Sequence, residues 1–197
     1  MKILLIGGTG TISMYISKRL LSLGNEVYLL NRGNRTNSIA DLSGAKFIVA
    51  DIHNESEVAQ KINNLPFSEF DCVANFIAYN KEDLERDFRL FSNRTKQFIF
   101  ISTASAYQKP PLKTIITEET PLENPFWEYS RKQSEGEKFL MEKFLSEKFP
   151  VTIVRPSHTY DERKVPVAIH GKNGSFQVLA RMLSGKPVII HGDGTSL

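Results

Sequence analysis

The sequence predicts an α/β fold: one doubly wound parallel sheet with helices on both faces. Three observations carry that expectation. Short β-type runs alternate with helical segments along most of the 197 residues. Several of the runs are apolar without alternation, as strands buried on both faces read. The first run stops at a glycine turn that leads straight into the first helical segment, the signature of a strand–turn–helix unit.

The elements follow in order. "KILLI" (2–6) is a continuous apolar strand ending at Gly7-Gly8. Ile12, Ile16, Leu20 and Leu23 recur at helical spacing, and Gly24 stops that helix. "EVYLL" (26–30) and "KFIVA" (46–50) are the second and third strands, with a helix over 55–64 after them. "FDCVANFIA" (70–78) is the fourth strand, 81–91 a helix, and "KQFIFIS" (96–102) the fifth strand. A long helix is expected over 127–148, with Phe139, Leu140, Phe144 and Leu145 turned inward. "VTIVRP" (151–156) is the sixth strand, closed by Pro156. Beyond it the chain turns polar and turn-rich, with a short helix over 175–184, a strand "KPVII" (186–190) and the turn "HGDGTSL". Residues 1–156 therefore read as one domain, and the character of the chain changes over 157–197.

Composition narrows the function classes. With 41% hydrophobic and 24% charged residues the chain has the balance of an ordinary globular protein. A net charge of +3 without a dense basic stripe argues against nucleic acid as the partner. The single cysteine, Cys72, excludes an internal disulfide and fits a reducing compartment. The apolar run 2–6 is too short for a signal peptide, and no run approaches the ~20 residues of a membrane helix. The expectation is a soluble, cytoplasmic protein. The four histidines and one cysteine show no metal-ligand spacing, so no metal is expected.

The most informative stretch is "IGGTGTIS" (6–13). Gly7 and Gly10 fall three apart between a strand and a helix. Such a turn needs glycine where φ is positive and where backbone must approach a pyrophosphate. The amides around Thr11 and Ile12, at the helix N-terminus, then face the negative charge. Ser13 occupies the third glycine position of the pattern, a mild change at a site that serves packing. At the end of the second strand, "LNRGNR" offers Asn31, Arg32 and Arg35 and no carboxylate. Guanidinium groups suit a 2′-phosphate, so NADP is favoured over NAD. Asp51 and Ile52, after the third strand, are placed to meet the adenine. The plain alternative, a ligand-free turn with solvated arginines, stays open at this point.

These features together resemble the extended branch of the short-chain dehydrogenase/reductase superfamily, the NAD(P)-dependent sugar epimerases and dehydratases. The resemblance implies a Rossmann-type domain over 1–156. "GGTGTIS" resembles the branch's GxxGxxG with its last glycine lost, and "NFIAYN" (75–80) its cofactor-lining segment, here Phe76, Ile77 and Ala78. "ISTASAY" (101–107) is similar to the motif whose hydroxyl orients the substrate oxygen, which implies that role for Thr103, beside Ser102 and Ser105. "VRPSHTY" (154–160) resembles the segment beside the nicotinamide, which implies contacts from Pro156, Ser157 and His158. "EYSRKQSEGE" (128–137) corresponds to the helix with the catalytic tyrosine, here Tyr129, and a lysine one turn later. Gln133 stands where that lysine is expected, and Lys132 precedes it.

The lysine binds the cofactor ribose and acidifies the tyrosine. A unit charge ~5 Å from a phenolate at an effective dielectric of ~20 is worth roughly 3 kcal/mol, about two pKa units. Gln133 supplies no charge, while the Lys132 stem could swing part of the way. The resemblance implies a hydroxyl-bearing small molecule as substrate, nucleotide sugars included, and pairing of two copies through the 127–148 helix. It also implies that 157–197, ending in "HGDGTSL", is the start of a substrate-binding region and that the chain is C-terminally truncated, because relatives run further. Two other readings stay open: a dinucleotide-binding regulator without turnover, and an RNA-associated relative, which the modest charge disfavours.

Overall fold

The computed structural model describes residues 1–34, 42–161, 174 and 176–190. The chain divides into two compact units, Met1–Ser157 and His158–Leu197. In the first, six strands form one sheet: β1 (Lys2–Ile6), β2 (Glu26–Asn31), β3 (Lys46–Val49), β4 (Cys72–Asn75), β5 (Phe98–Ile101) and β6 (Val151–Val154). Their order is β3-β2-β1-β4-β5-β6 and every pairing is parallel, as the strand–helix alternation predicts. This is the Rossmann order, whose direction reverses between β1 and β4.

Side chains alternate across the sheet, so a run such as "KILLI" must serve two cores. Leu4 and Ile6 join Tyr28, Leu30, Val73 and Phe100 in one cluster, whereas Ile3 and Leu5 join Val27, Leu29 and Ala74 in the other. Helix α1 (Thr11–Ser22) covers the second cluster through Met14. Helices α2 (Glu55–Asn63), α3 (Lys81–Phe91) and α4 (Glu128–Glu147) cover the first with Val58, Leu84 and Leu140. Gly136 lets α3 and α4 approach closely: a Cβ there would lie 2.6 Å from Leu84 Cδ1.

Several expectations need correction. The fourth strand is only Cys72–Asn75, because the chain leaves the sheet at Phe76. Helix α1 buries Ser13, Met14 and Ser17, while Leu23 is exposed. Small serines let this helix sit close to the turn before it. In α4, Phe139 and Leu140 are buried but Phe144 and Leu145 are exposed. Lys143, one turn after Phe139, takes the inner position, its ammonium 4.9 Å from the Phe88 ring centre and 5.6 Å from that of Phe139. In the second unit the helix is α5 (Phe176–Leu183), but 186–190 is not a strand. Ile189 and Ile190 are exposed there, and an apolar run gains from extension only where a neighbouring strand pairs with it.

Candidate functional site

Because all six strands run the same way, the segments that follow them emerge at one edge of the sheet. Gly7–Gly10, Asn31–Gly33, Asp51–Ile52, Phe76–Ala78, Thr103 and Pro156 all follow strand C-termini there. Open α/β sheets bind ligands at this edge, at the point where strand order reverses.

The turn after β1 lies at that point. Gly7 has φ 81°, and a Cβ on it would meet Ile77 Cγ2 at 2.6 Å. A Cβ on Gly8 would meet Leu29 Cδ2 at 2.5 Å. Both glycines are therefore required by space, and Gly7 by conformation as well. Two buried serines then take up the turn's carbonyls. Ser13 Oγ donates to Gly7 O at 2.8 Å and accepts from Gly10 N at 2.8 Å, and the Ser17 hydroxyl is shared between Ser13 O at 2.8 Å and Gly8 O at 3.1 Å. Ser13 thus ties the turn to the helix in place of the third glycine.

The first intrahelical bond runs from Met14 N to Gly10 O, so the amides of Thr11, Ile12 and Ser13 precede the hydrogen-bonded ladder. Helices α2 and α3 start with side-chain caps, Asn54 and Asn80, and with acids in the first turn. Helix α1 has neither. A helix N-terminus without a side-chain cap or an acid in its first turn suits an anion.

After β2, Asn31 Oδ1 accepts from Gly33 N at 2.9 Å and so shapes the turn, while Arg32 is exposed. Arg35 lies outside the described residues. After β3, Asp51 Oδ1 accepts from His53 N at 3.0 Å and Ile52 is buried.

Residues 76–79 leave β4 and are held by three side chains. Asn75 Oδ1 accepts from Ile77 N at 2.7 Å, Asp83 Oδ2 accepts from Tyr79 N at 2.9 Å, and Gln133 Nε2 donates to Ala78 O at 3.1 Å. Beneath them lies a buried charge network that the sequence reading missed. Arg86 donates to Asp87 Oδ1 through Nε at 3.1 Å and Nη2 at 2.8 Å, and to Asp83 Oδ1 at 2.8 Å. Asn75 Nδ2 completes it by donating to Asp87 Oδ2. Burial pushes the Asp87 carboxyl up to about 6, against the pull of Arg86. A helical "RD" pair looks solvated in sequence; only the fold turns it under a loop.

Tyr129 is the second residue of α4, half-buried between Tyr79 and Trp127, with ring centres 6.4 Å and 5.1 Å away. Burial, then Tyr79, raises its phenol above the ordinary value. Gln133, one turn on, is 1% exposed; its Oε1 is buried with no partner. Lys132 does not replace the missing charge. Its ammonium pairs with Glu128 at 2.8 Å on the exposed side of the helix, the usual arrangement four residues apart.

Thr103 caps the 3₁₀ turn Ala104–Ala106 and bonds Ser105. Ser102 does not share that role: its hydroxyl donates to buried Glu137. Glu137 pairs with Arg155 at 2.6 Å, and Arg155 Nη1 donates to Tyr107 Oη at 2.9 Å. Arg155 therefore locks α4 to the strand ends. Pro156 accepts from Ala104 N at 2.9 Å, and Ser157 and His158 are exposed. Cys72 is buried, its thiol pushed up to about 11, and so is inert.

The whole of residues 3–197 matches the model of the NAD dependent epimerase/dehydratase family. The chain belongs to that family. Among curated relatives of this family member, UDP-glucose 4-epimerase of Lactobacillus helveticus is 29% identical over 163 residues, 74% of this chain and 46% of the relative. Sterol-4-alpha-carboxylate 3-dehydrogenase (decarboxylating) of Dictyostelium discoideum is 25% identical over 157 residues, 71% of this chain and 47% of the relative. The chain thus spans about half the length of these curated relatives. Among solved structures, UDP-glucuronic acid 4-epimerase of Bacillus cereus, in complex with NAD, superposes with a TM-score of 0.76 at 23% identity, over 100% of this chain and 68% of that one. At that identity the likeness speaks for the fold. Among the described residues, no helix is long and apolar enough to cross a membrane, and no group of three His, Cys, Asp or Glu could hold a metal ion.

Proposed function

We propose that the chain carries the dinucleotide site of an NAD(P)-dependent epimerase/dehydratase or reductase acting on a hydroxyl-bearing small molecule or its keto form, nucleotide sugars included. One observation carries the reading: the Gly7–Gly10 turn and the Phe76–Ala78 segment follow β1 and β4, where the strand order reverses, Thr103 follows β5 at the same edge, and Tyr129 lies against Tyr79 beside Phe76–Ala78. The residues fit the cofactor. Gly7, at φ 81°, gives the turn a shape that suits glycine, the N-terminus of α1 has no side-chain cap and no acid in its first turn, and Gln133 Oε1 is an orphaned buried acceptor.

When bound, the dinucleotide supplies or receives the hydride. The chain's residues do the rest. The amides at the start of α1 hold the pyrophosphate. Gln133 Oε1 accepts from a ribose hydroxyl. Thr103 orients the substrate oxygen, and Tyr129 moves the proton. Absence of a carboxylate at the end of β2, with Asn31 and Arg32 there, supports NADP over NAD.

Calorimetric titration with NADPH and NADH tests the reading. NADPH binding at least tenfold tighter than NADH is expected; no binding of either would end it. A second reading, a dinucleotide-binding regulator without turnover, is favoured by the uncharged Gln133 beside a phenol whose pKa is raised. Exposed Met141, Phe144 and Leu145 on α4 support self-association through that helix, which sedimentation equilibrium would test.

A further inference from the structure

The segments at the ligand edge come from different strands, and one buried arginine reaches two of them. Arg86 lies on α3, and its guanidinium can only donate. Nε and Nη2 both go to Asp87 Oδ1, at 3.1 Å and 2.8 Å. Nη1 goes to Asp83 Oδ1 at 2.8 Å and to His53 Nδ1 at 3.3 Å. Because a guanidinium cannot accept, the ring nitrogen is the acceptor in that last contact.

Each carboxylate passes the hold onward to the segment after β4. Asp83 Oδ2 accepts from Tyr79 N at 2.9 Å. Asp87 Oδ2 accepts from Asn75 Nδ2, and Asn75 Oδ1 in turn accepts from Ile77 N at 2.7 Å. On the other side, His53 directly follows Asp51 and Ile52, and its amide donates to Asp51 Oδ1 at 3.0 Å. One turn along α3, Arg89 grips the same connection through Glu55, with Nε and Nη2 each 2.9 Å from a carboxylate oxygen. The turn after β3 and the segment after β4 are thus tied to one helix through one buried cation.

A buried charge cluster is a costly way to stabilise a fold, since apolar side chains of similar volume often serve as well or better. What the guanidinium adds is geometry: donors in a rigid plane set the directions of several partners at once. We infer that Arg86 and His53 are positioning residues for the dinucleotide, holding the Asp51–Ile52 turn and the Phe76–Ala78 segment at one spacing before the cofactor arrives. They act through the backbone of those two segments. A cleft already in place is spared the cost of ordering its walls on binding, so the tie should appear in affinity. The inference rests on the dinucleotide reading above.

His53 is exposed, so replacing it cuts the tie without disturbing the core. The chain is titrated calorimetrically with NADPH, and urea midpoints are read beside the affinities. His53→Ala should weaken NADPH binding roughly three- to tenfold, the worth of one hydrogen bond, with its urea midpoint unchanged. His53→Asn sets an amide oxygen where Nδ1 stands and should restore the affinity to within about twofold. Arg86→Lys keeps the charge but exchanges the fork for a single ammonium, which the two carboxylates draw away from the ring. In that background His53→Ala should cost nothing further. Should Arg86→Lys fail to fold, the His53 series decides alone. Unchanged affinity in His53→Ala, a loss that His53→Asn does not restore, or a loss accompanied by a lower urea midpoint would each overturn the inference. So would the same loss in the Arg86→Lys background. Failure of the parent chain to hold NADPH would instead overturn the dinucleotide reading, and this inference with it.

Discussion

Replacing Gln133 by methionine separates two roles of one side chain. Gln133 is 1% exposed, its Nε2 donates to Ala78 O at 3.1 Å, and its Oε1 has no partner. Methionine keeps the unbranched shape and removes both polar ends. In the free chain two effects oppose. Leaving Ala78 O unpaired costs about 1–3 kcal/mol, and removing a buried orphan oxygen returns about 1–3 kcal/mol. Stability should therefore change by less than about 1 kcal/mol. With the dinucleotide bound, Oε1 has its ribose hydroxyl, and methionine loses that bond with no offset. Affinity should fall by about 1–1.5 kcal/mol, or roughly five- to twelvefold. Urea denaturation reads the first quantity and calorimetry with NADPH the second. A variant destabilised by more than about 2 kcal/mol with unchanged affinity would refute the reasoning and leave Gln133 as a strut for Ala78 alone.

Gln133→Lys should lower the Tyr129 pKa by up to about two units, less whatever burial costs the new ammonium; ultraviolet titration checks this, and an unmoved phenol would mean that residue 133 does not act on Tyr129. Gly7→Ala meets Ile77 Cγ2 at 2.6 Å in a backbone with φ 81°, so a stability loss of roughly 1–2 kcal/mol and loss of dinucleotide binding are expected. Native burial holds Asp87 near 6, above its unfolded value of 3.8, so its contribution is present at low pH and is lost as pH rises from about 4 to 6. The stability gap between the parent and Asp87→Asn should accordingly shrink between pH 4.5 and 7; a constant or widening gap in urea midpoints would contradict it.

The sheet was legible because its causes are local. A strand buried on both faces must be apolar throughout, and Leu4/Ile6 against Ile3/Leu5 show the two cores that impose this. The Gly7–Gly10 turn was legible for a similar reason: one positive φ and one close approach leave few residues to choose from. What stayed hidden depends on contacts between distant segments. Nothing near Asn75 in sequence announces that Asp87, twelve residues on, will be buried against it. The apolar periodicity placing Phe144 inward could not anticipate Lys143 lying over two rings. The "KPVII" run shows the converse limit, since a strand needs a neighbour and composition alone does not supply one.

The tyrosine helix shows why a side chain's role cannot be read from its type. Lys132 was the natural source of a missing charge, within ~100° of position 133 and on a long stem. Glu128 settles the matter: four residues earlier on the same face, it holds the ammonium in water at 2.8 Å. Moving the charge inward would break that pair and strip its hydration, and because the exposed pair is weakened by the water around it, hydration is the larger obstacle. Gln133 meanwhile is bound to Ala78, so the position one turn after Tyr129 has exchanged a cation for a backbone brace. An oxidative role for Tyr129 would then require acidification by some other group, and the cation of an oxidised nicotinamide is the natural one. A site that needs its cofactor to acidify the tyrosine is better matched to proton donation, which a phenol held above its ordinary value by burial already favours.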